Sequence, residues 1–329
     1  MNSGLPSAVT ALLSDLQLYS YYLYSITHSN ATHASELGRA RDHPPHVYTS
    51  SHTFRVSPML LGELRRPPPL PRSAHTDFAR DGFCVVPGWL SPTAIHAIRQ
   101  DALLCEEAGL PRRAGIGSTR HGETAVRLDD SARRASMLPL YPPPRLGIGL
   151  PDVRIALGEA VRSLAAELQA GQPSLPTLAP FRTEMAYLYY PVGGYYKRHI
   201  DVPAARDGWT ILGRSPEDGG SFSGSALRRE VSMLVYLDPC WDRSWGGALR
   251  VFLRDKRSHF AHEQVVVDDT DQGSPEITSV HADTAEESYI DVTPEAGTLV
   301  LMRSDMVPHE VLETCRPRHC IVGWLRQER

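Results

Sequence analysis

Apolar residues recur at helical spacing between about residues 76 and 180, and from 181 onward they fall into short strand-like runs separated by Gly and Pro. In the first stretch, TDFARDGFCVVPGWLSPTAIHAIRQDALLCEEAGL predicts a short helix, a strand over Phe83 to Val86, a turn at Pro87-Gly88, and a helix capped by Ser91 with Pro92 at its first position. A further amphipathic helix is predicted over 151–170, with Val153, Leu157, Val161, Leu164 and Leu168 on one side. In the second stretch, strands are predicted over 183–190, 195–200, 231–237, 247–253, 263–267, 288–292, 298–302, 309–312 and 319–325. Many short strands at fairly even spacing, preceded by helices that can pack on one sheet, imply an α+β domain built on a sandwich or jelly roll.

This pattern divides the chain into an extension over 1–75, expected to be poorly ordered, and a domain over 76–329. The domain comprises supporting helices over 76–180 and a strand-rich core over 181–329. The extension is rich in Ser, Thr, His and Arg and poor in acids. Its segment AVTALLSDLQLYSYYLYSIT places Val9, Leu12, Leu13, Leu16 and Leu23 on one helical face, and its Arg65-x-x-Pro68-x-x-Pro71 run reads as a spacer rather than an SH3 ligand. Two polar stretches interrupt the core: a Gly/Ser loop after Asp201 that includes GRSPEDGGSFSGSA, and an acidic loop over 268–288.

Composition narrows the function. A net charge of −4 over 329 residues provides no global basic field for nucleic acid or anionic membrane. No segment reaches the roughly 20 apolar residues of a membrane span. Five cysteines, Cys84, Cys105, Cys240, Cys315 and Cys320, are an odd number without zinc-ligand spacing, which favours a reducing compartment, cytoplasm or nucleus. The start lacks the basic region of a signal peptide, an organelle transit peptide stays open, and Asn30-Ala-Thr32 fits a glycosylation triplet.

The chemistry lies in His199, Asp201, His309 and Arg318. Two imidazoles and one carboxylate on one face of a metal suit non-haem Fe(II), and the positions they leave open suit an oxygenase. Of three His-x-Asp pairs, His75/Asp77 follows the proline-rich run and His281/Asp283 lies in the acidic loop. Only His199/Asp201 is embedded in strand sequence, where residues two apart project to one face. Arg318, nine residues after His309, supplies a planar fork for the distal carboxylate of a chelating co-substrate.

The blocks YYPVGGYYKRHID, VSMLVYLDPCW, WGGALRVF, GTLVLMRSDMVPHEVLE and RPRHCIVGWL, in this order, resemble the catalytic core of the Fe(II)/2-oxoglutarate dioxygenases. The resemblance is to prolyl 4-hydroxylases of the hypoxia-inducible-factor type and their bacterial relatives, and it covers about 80–326. It implies a double-stranded β-helix, with His199, Asp201 and His309 as iron ligands and Arg318 as the anchor of the 2-oxoglutarate C5 carboxylate. It further implies Tyr236 on the same carboxylate, Tyr190 in the pocket and Trp324 beside the site.

AGIGSTRHGETAVRLDD resembles the family's closing loop over a peptide substrate, with Asp129 pairing Arg229. The implied activity is hydroxylation of a prolyl residue in a protein or peptide, with oxygen sensing as one expected role, using Fe(II), 2-oxoglutarate, O2 and L-ascorbate. The loop after Asp201 and the acidic loop depart from the family at positions where substrate choice is usually made. The same four residues would equally serve hydroxylation of a free amino acid or small metabolite. An iron-free jelly-roll binding module is disfavoured because every ligand is present.

Overall fold

The computed structural model describes residues 56–120, 123–140, 147–202, 209–211, 226–253 and 288–329. Four helices, interleaved with short strands, lie before Glu184. Pro58–Arg65 (α1) starts at Ser57, whose hydroxyl accepts from the Leu60 amide, and Arg72–Asp81 (α2) stops at Gly82, in the left-handed region at φ 77°. Pro92–Glu107 (α3) is capped by Ser91 on the Ala94 amide, as the sequence predicts. Pro151–Gly171 (α4) buries Val153, Leu157, Val161, Leu164 and Leu168, the predicted face.

The boundary expected at residue 75 falls inside packed structure. Leu64 and Leu70 are buried, the Leu70 amide donates to Glu167 on α4, and Arg65 pairs with Glu159 at 2.8 Å. The prolines join α1 to α2 across the surface of α4, so composition concealed two apolar anchors on either side of them. The predicted helix near residues 9–23, the strand over 263–267 and the pair His281/Asp283 lie outside the described residues.

The strands form two antiparallel sheets and a hairpin. In chain order they are Phe83–Val86 (β1), Arg112–Arg113 (β2), Ile116–Arg120 (β3), Glu123–Arg127 (β4), Arg133–Arg134 (β5), Ser136–Pro139 (β6), Glu184–Tyr190 (β7), Gly194–His199 (β8) and Thr210–Ile211 (β9). They continue as Ala226–Tyr236 (β10), Leu249–Phe252 (β11), Tyr289–Val292 (β12), Leu299–Arg303 (β13), His309–Thr314 (β14) and Arg318–Glu328 (β15). The larger sheet runs β1-β13-β10-β15-β7-β6-β2 with β9 beside β10; the smaller runs β12-β11-β14-β8-β5; β3 and β4 pair as the hairpin.

Two cores follow from the two-residue period of the larger sheet. Val231, Met233, Val235, Ile321 and Leu325 face the helices, whereas Leu234, Tyr236, Cys320 and Val322 face the smaller sheet across the jelly roll. Arg318 and His319 therefore leave β15 on opposite faces. Among the described residues no helix is long and apolar enough to cross a membrane.

Candidate metal centre

β8 ends at His199 and β14 begins at His309, and the two residues are register partners across the smaller sheet. Asp201 lies just beyond β8, where its amide donates to the Ser304 carbonyl at 3.1 Å. One ligand atom from each of the three residues lies within 4.8 Å of the others. The Nε2 atoms of His199 and His309 stand 3.6 and 3.8 Å from the two carboxylate oxygens of Asp201.

The protonation pattern follows from the partners. Each Nδ1 contacts a backbone carbonyl, Lys197 at 2.8 Å and Val307 at 3.0 Å. A carbonyl only accepts, so each Nδ1 carries a proton, and Nε2 is the nitrogen that each ring turns toward Asp201. Burial and neighbouring His199 lower the His309 pKa to about 4. Burial opposes ionisation of Asp201, but the His199 hydrogen bond and nearby positive charge hold its carboxyl well below the usual range.

Two residues overlooked in the sequence support this carboxylate. The wholly buried Ser232 donates to Asp201 Oδ2 at 2.6 Å and contacts the Ser304 hydroxyl at 2.8 Å. A serine at an inward position of the apolar run VSMLVYL was the available signal, since a buried hydroxyl needs a partner.

Arg318 sits in the inter-sheet core, with its guanidinium 4.8 Å from the Tyr190 ring centroid and 5.1 Å from that of Tyr236. It is wholly buried, and Arg318 Nε, Arg318 Nη2 and Tyr236 Oη lack a hydrogen-bond partner. Burial pushes the Tyr190 phenol up to about 12 and raises that of Tyr236 further, so both remain donors. Gly247 makes room for the arginine stem: at φ +68° it is in the left-handed region, and a Cβ there would lie 3.2 Å from Arg318 Cδ. Three buried, unpartnered donors on two neighbouring side chains fit a carboxylate. The triad beside them fits a divalent first-row cation.

Behind β15, the Asp238 carboxylate accepts from the His319 amide and from its ring at 2.9 Å, while Arg99 donates to it at 3.0 Å. Helix α3 is thereby tied to the strand that delivers Arg318.

The expected Asp129–Arg229 pair does not form. Arg229 pairs with Glu184 at 2.7 Å and covers the Trp324 ring at 3.7 Å, while Asp129 pairs with Arg127 at 2.6 Å. Glu184 is the register partner of Trp324, so the larger sheet itself supplies the nearer carboxylate. The segment expected as a closing loop is the β3–β4 hairpin. His75 lies on α2, 4.0 Å from Glu167, and Asp77 pairs with Arg80 at 2.8 Å; neither joins the centre.

No curated protein matches the chain. Among solved structures, a prolyl-4-hydroxylase from Pseudomonas putida aligns with 22% identity and a TM-score of 0.50, over 78% of this chain and 97% of that one. A prolyl hydroxylase from Trichoplax adhaerens, solved with a hypoxia inducible factor peptide fragment, aligns with 19% identity and a TM-score of 0.53, over 82% and 93%. Both share the jelly-roll fold with this chain. Residues 185–326 match the profile of the 2OG-Fe(II) oxygenase superfamily. That interval takes in Tyr190, the three clustered ligands, Tyr236 and Arg318, so the part of the chain that is similar to the 2OG-Fe(II) oxygenase superfamily is the part that carries the centre.

Proposed function

We propose that the chain is an Fe(II)- and 2-oxoglutarate-dependent dioxygenase that hydroxylates a prolyl residue of a protein substrate. The observation that carries the oxygenase reading is the set of unpartnered donors on Arg318 and Tyr236, in the same inter-sheet space as the His199/Asp201/His309 cluster. The three clustered residues would hold iron, and Arg318 with Tyr236 would hold the far carboxylate of the co-substrate. Iron and co-substrate, when bound, supply the oxidising power for hydroxylation. The chain contributes two imidazoles, a serine-fixed carboxylate and an apolar inter-sheet core that excludes water. The prolyl substrate is supported by the fold shared with the two prolyl hydroxylases, one of them solved with a peptide. The five cysteines form no disulfide, which suits a reducing compartment such as cytoplasm or nucleus.

The test is incubation of the purified chain with Fe(II), ascorbate, 2-oxoglutarate, O2 and a library of proline-containing peptides. Mass spectrometry should find a peptide heavier by one oxygen atom on proline, with succinate formed in equal amount. Succinate production that no proline peptide stimulates would refute the prolyl reading.

A further inference from the structure

Arg133 opens β5, the edge strand of the smaller sheet, opposite Tyr196 on β8. Its guanidinium carbon lies 4.4 Å from the centroid of the Tyr196 ring, and that ring stacks on the His199 imidazole at 3.6 Å. A cation, an aromatic ring and a metal-ligand candidate therefore form one column. One Nη1–H donates to the Gly115 carbonyl at 3.0 Å, at the foot of the β3–β4 hairpin. The Nε is buried without a partner, although the residue as a whole is only 9% exposed.

Three arginines are buried among the described residues: Arg133, Arg154 and Arg318. Arg154 has Asp101 at 3.5 Å. Arg318 and Arg133 form no ion pair among the described residues, and both act electrostatically on the Tyr190 phenol. A buried guanidinium without an anion is unfavourable unless a ligand completes it.

The distal carboxylate of the co-substrate is accounted for by Arg318 and Tyr236 on the larger sheet. Arg133 belongs to the other sheet, where the hairpin meets the metal centre. We infer that Arg133 receives a carboxylate of the primary substrate, so that the molecule oxidised here is an acid whose carboxylate lies close to the carbon presented to the metal. The inference relies on the proposed function for metal and co-substrate, and it does not require proline as the target. The carboxylate could belong to a terminal or free amino acid, or to an acidic side chain beside the target residue.

The full chain, loaded anaerobically with Fe(II) and saturating 2-oxoglutarate, is titrated with two matched pairs of probes. One pair is N-acetyl-L-proline and N-acetyl-L-prolinamide; the other is the end-blocked peptide Gly-Pro-Asp and its Gly-Pro-Asn counterpart. The readout is the shift of the visible charge-transfer band of the iron complex. One acid is expected to shift the band at a concentration at least about tenfold lower than its neutral partner. Success of the first pair identifies an α-carboxylate, and success of the second a side-chain carboxylate. Arg133→Gln should erase the preference and Arg133→Lys should retain it, with the half-saturation for 2-oxoglutarate unchanged in both.

Equal response to acid and neutral probes, no response to either acid, or a preference that survives Arg133→Gln would overturn the inference. So would loss of 2-oxoglutarate binding in Arg133→Gln and Arg133→Lys alike. Failure to oxygenate proline peptides would instead sink the prolyl reading, because the binding preference is measured without turnover.

Discussion

Arg318→Met should stabilise the ligand-free protein while removing most or all of its response to 2-oxoglutarate. Arg318 is wholly buried, and two of its nitrogens lack partners, so without co-substrate the fold carries an uncompensated charge. Methionine has a comparable stem and no charge to desolvate. Replacing buried ionic groups with apolar residues of similar volume stabilises by about 1–4 kcal/mol in known cases, and a gain of that order is expected here. The loss on the co-substrate side is larger. Removing one partner of a buried charge-assisted contact costs about 2–5 kcal/mol, equivalent to a rise in Kd of roughly 30-fold to several thousand-fold.

Urea unfolding of the Mn(II)-loaded protein, with and without 2-oxoglutarate, measures both effects. Co-substrate at a hundred times its Kd should stabilise the wild type by about 2.7 kcal/mol. The variant should unfold at higher urea than the wild type without co-substrate and should gain less than about 1 kcal/mol from that same concentration. If Arg318→Met unfolded at lower urea without co-substrate, the guanidinium would be a structural residue. If its midpoint rose as far as that of the wild type with 2-oxoglutarate, the anion anchor would lie elsewhere.

Three further outcomes are expected. Alanine at His199, Asp201 or His309 should each abolish 2-oxoglutarate turnover and weaken metal binding, whereas His75→Ala should leave both intact; equal damage from His75→Ala would refute the choice of cluster. Ser232→Ala should reduce metal affinity by about 10–100-fold, since it removes the 2.6 Å bond to Asp201, and unchanged Co(II) affinity would refute its supporting role. The third concerns pH. Burial opposes a charge on His319, but the hydrogen bond and charge of Asp238, with Glu106, raise its pKa. That stabilisation is complete below the unfolded histidine value and is lost as pH rises through the elevated folded one. His319→Gln should therefore flatten this part of the stability–pH profile, and an unchanged slope would refute the coupling.

The pattern of apolar residues was sufficient for most of the architecture because helical and strand periods are local properties. The capped helix at Ser91, the buried face of α4 and strands β7, β8 and β11–β15 all lie close to where that pattern puts them. The cluster of His199, Asp201 and His309 was legible because one pair sits at strand spacing in strand sequence. Pairings between distant segments were not. Glu184, rather than Asp129, meets Arg229 because strand register decides it, and sequence spacing does not encode register across sheets. Leu64 and Leu70 were hidden by the prolines around them, since their burial depends on the distant surface of α4.

The pairing of His309 with His199 makes the centre a checkpoint for folding. The two residues are far apart in sequence and meet only when β14 closes against β8, a long-range contact of the kind that forms slowly. A slip of one residue along β14 would turn Glu310 toward the apolar core and His309 toward solvent, and no metal could then bridge the strands. Affinity for the ion is thus a property of the correctly registered chain, and metal binding selects that register over its neighbours by mass action. Metal uptake followed during refolding would report the completion of the jelly roll rather than the formation of any single strand.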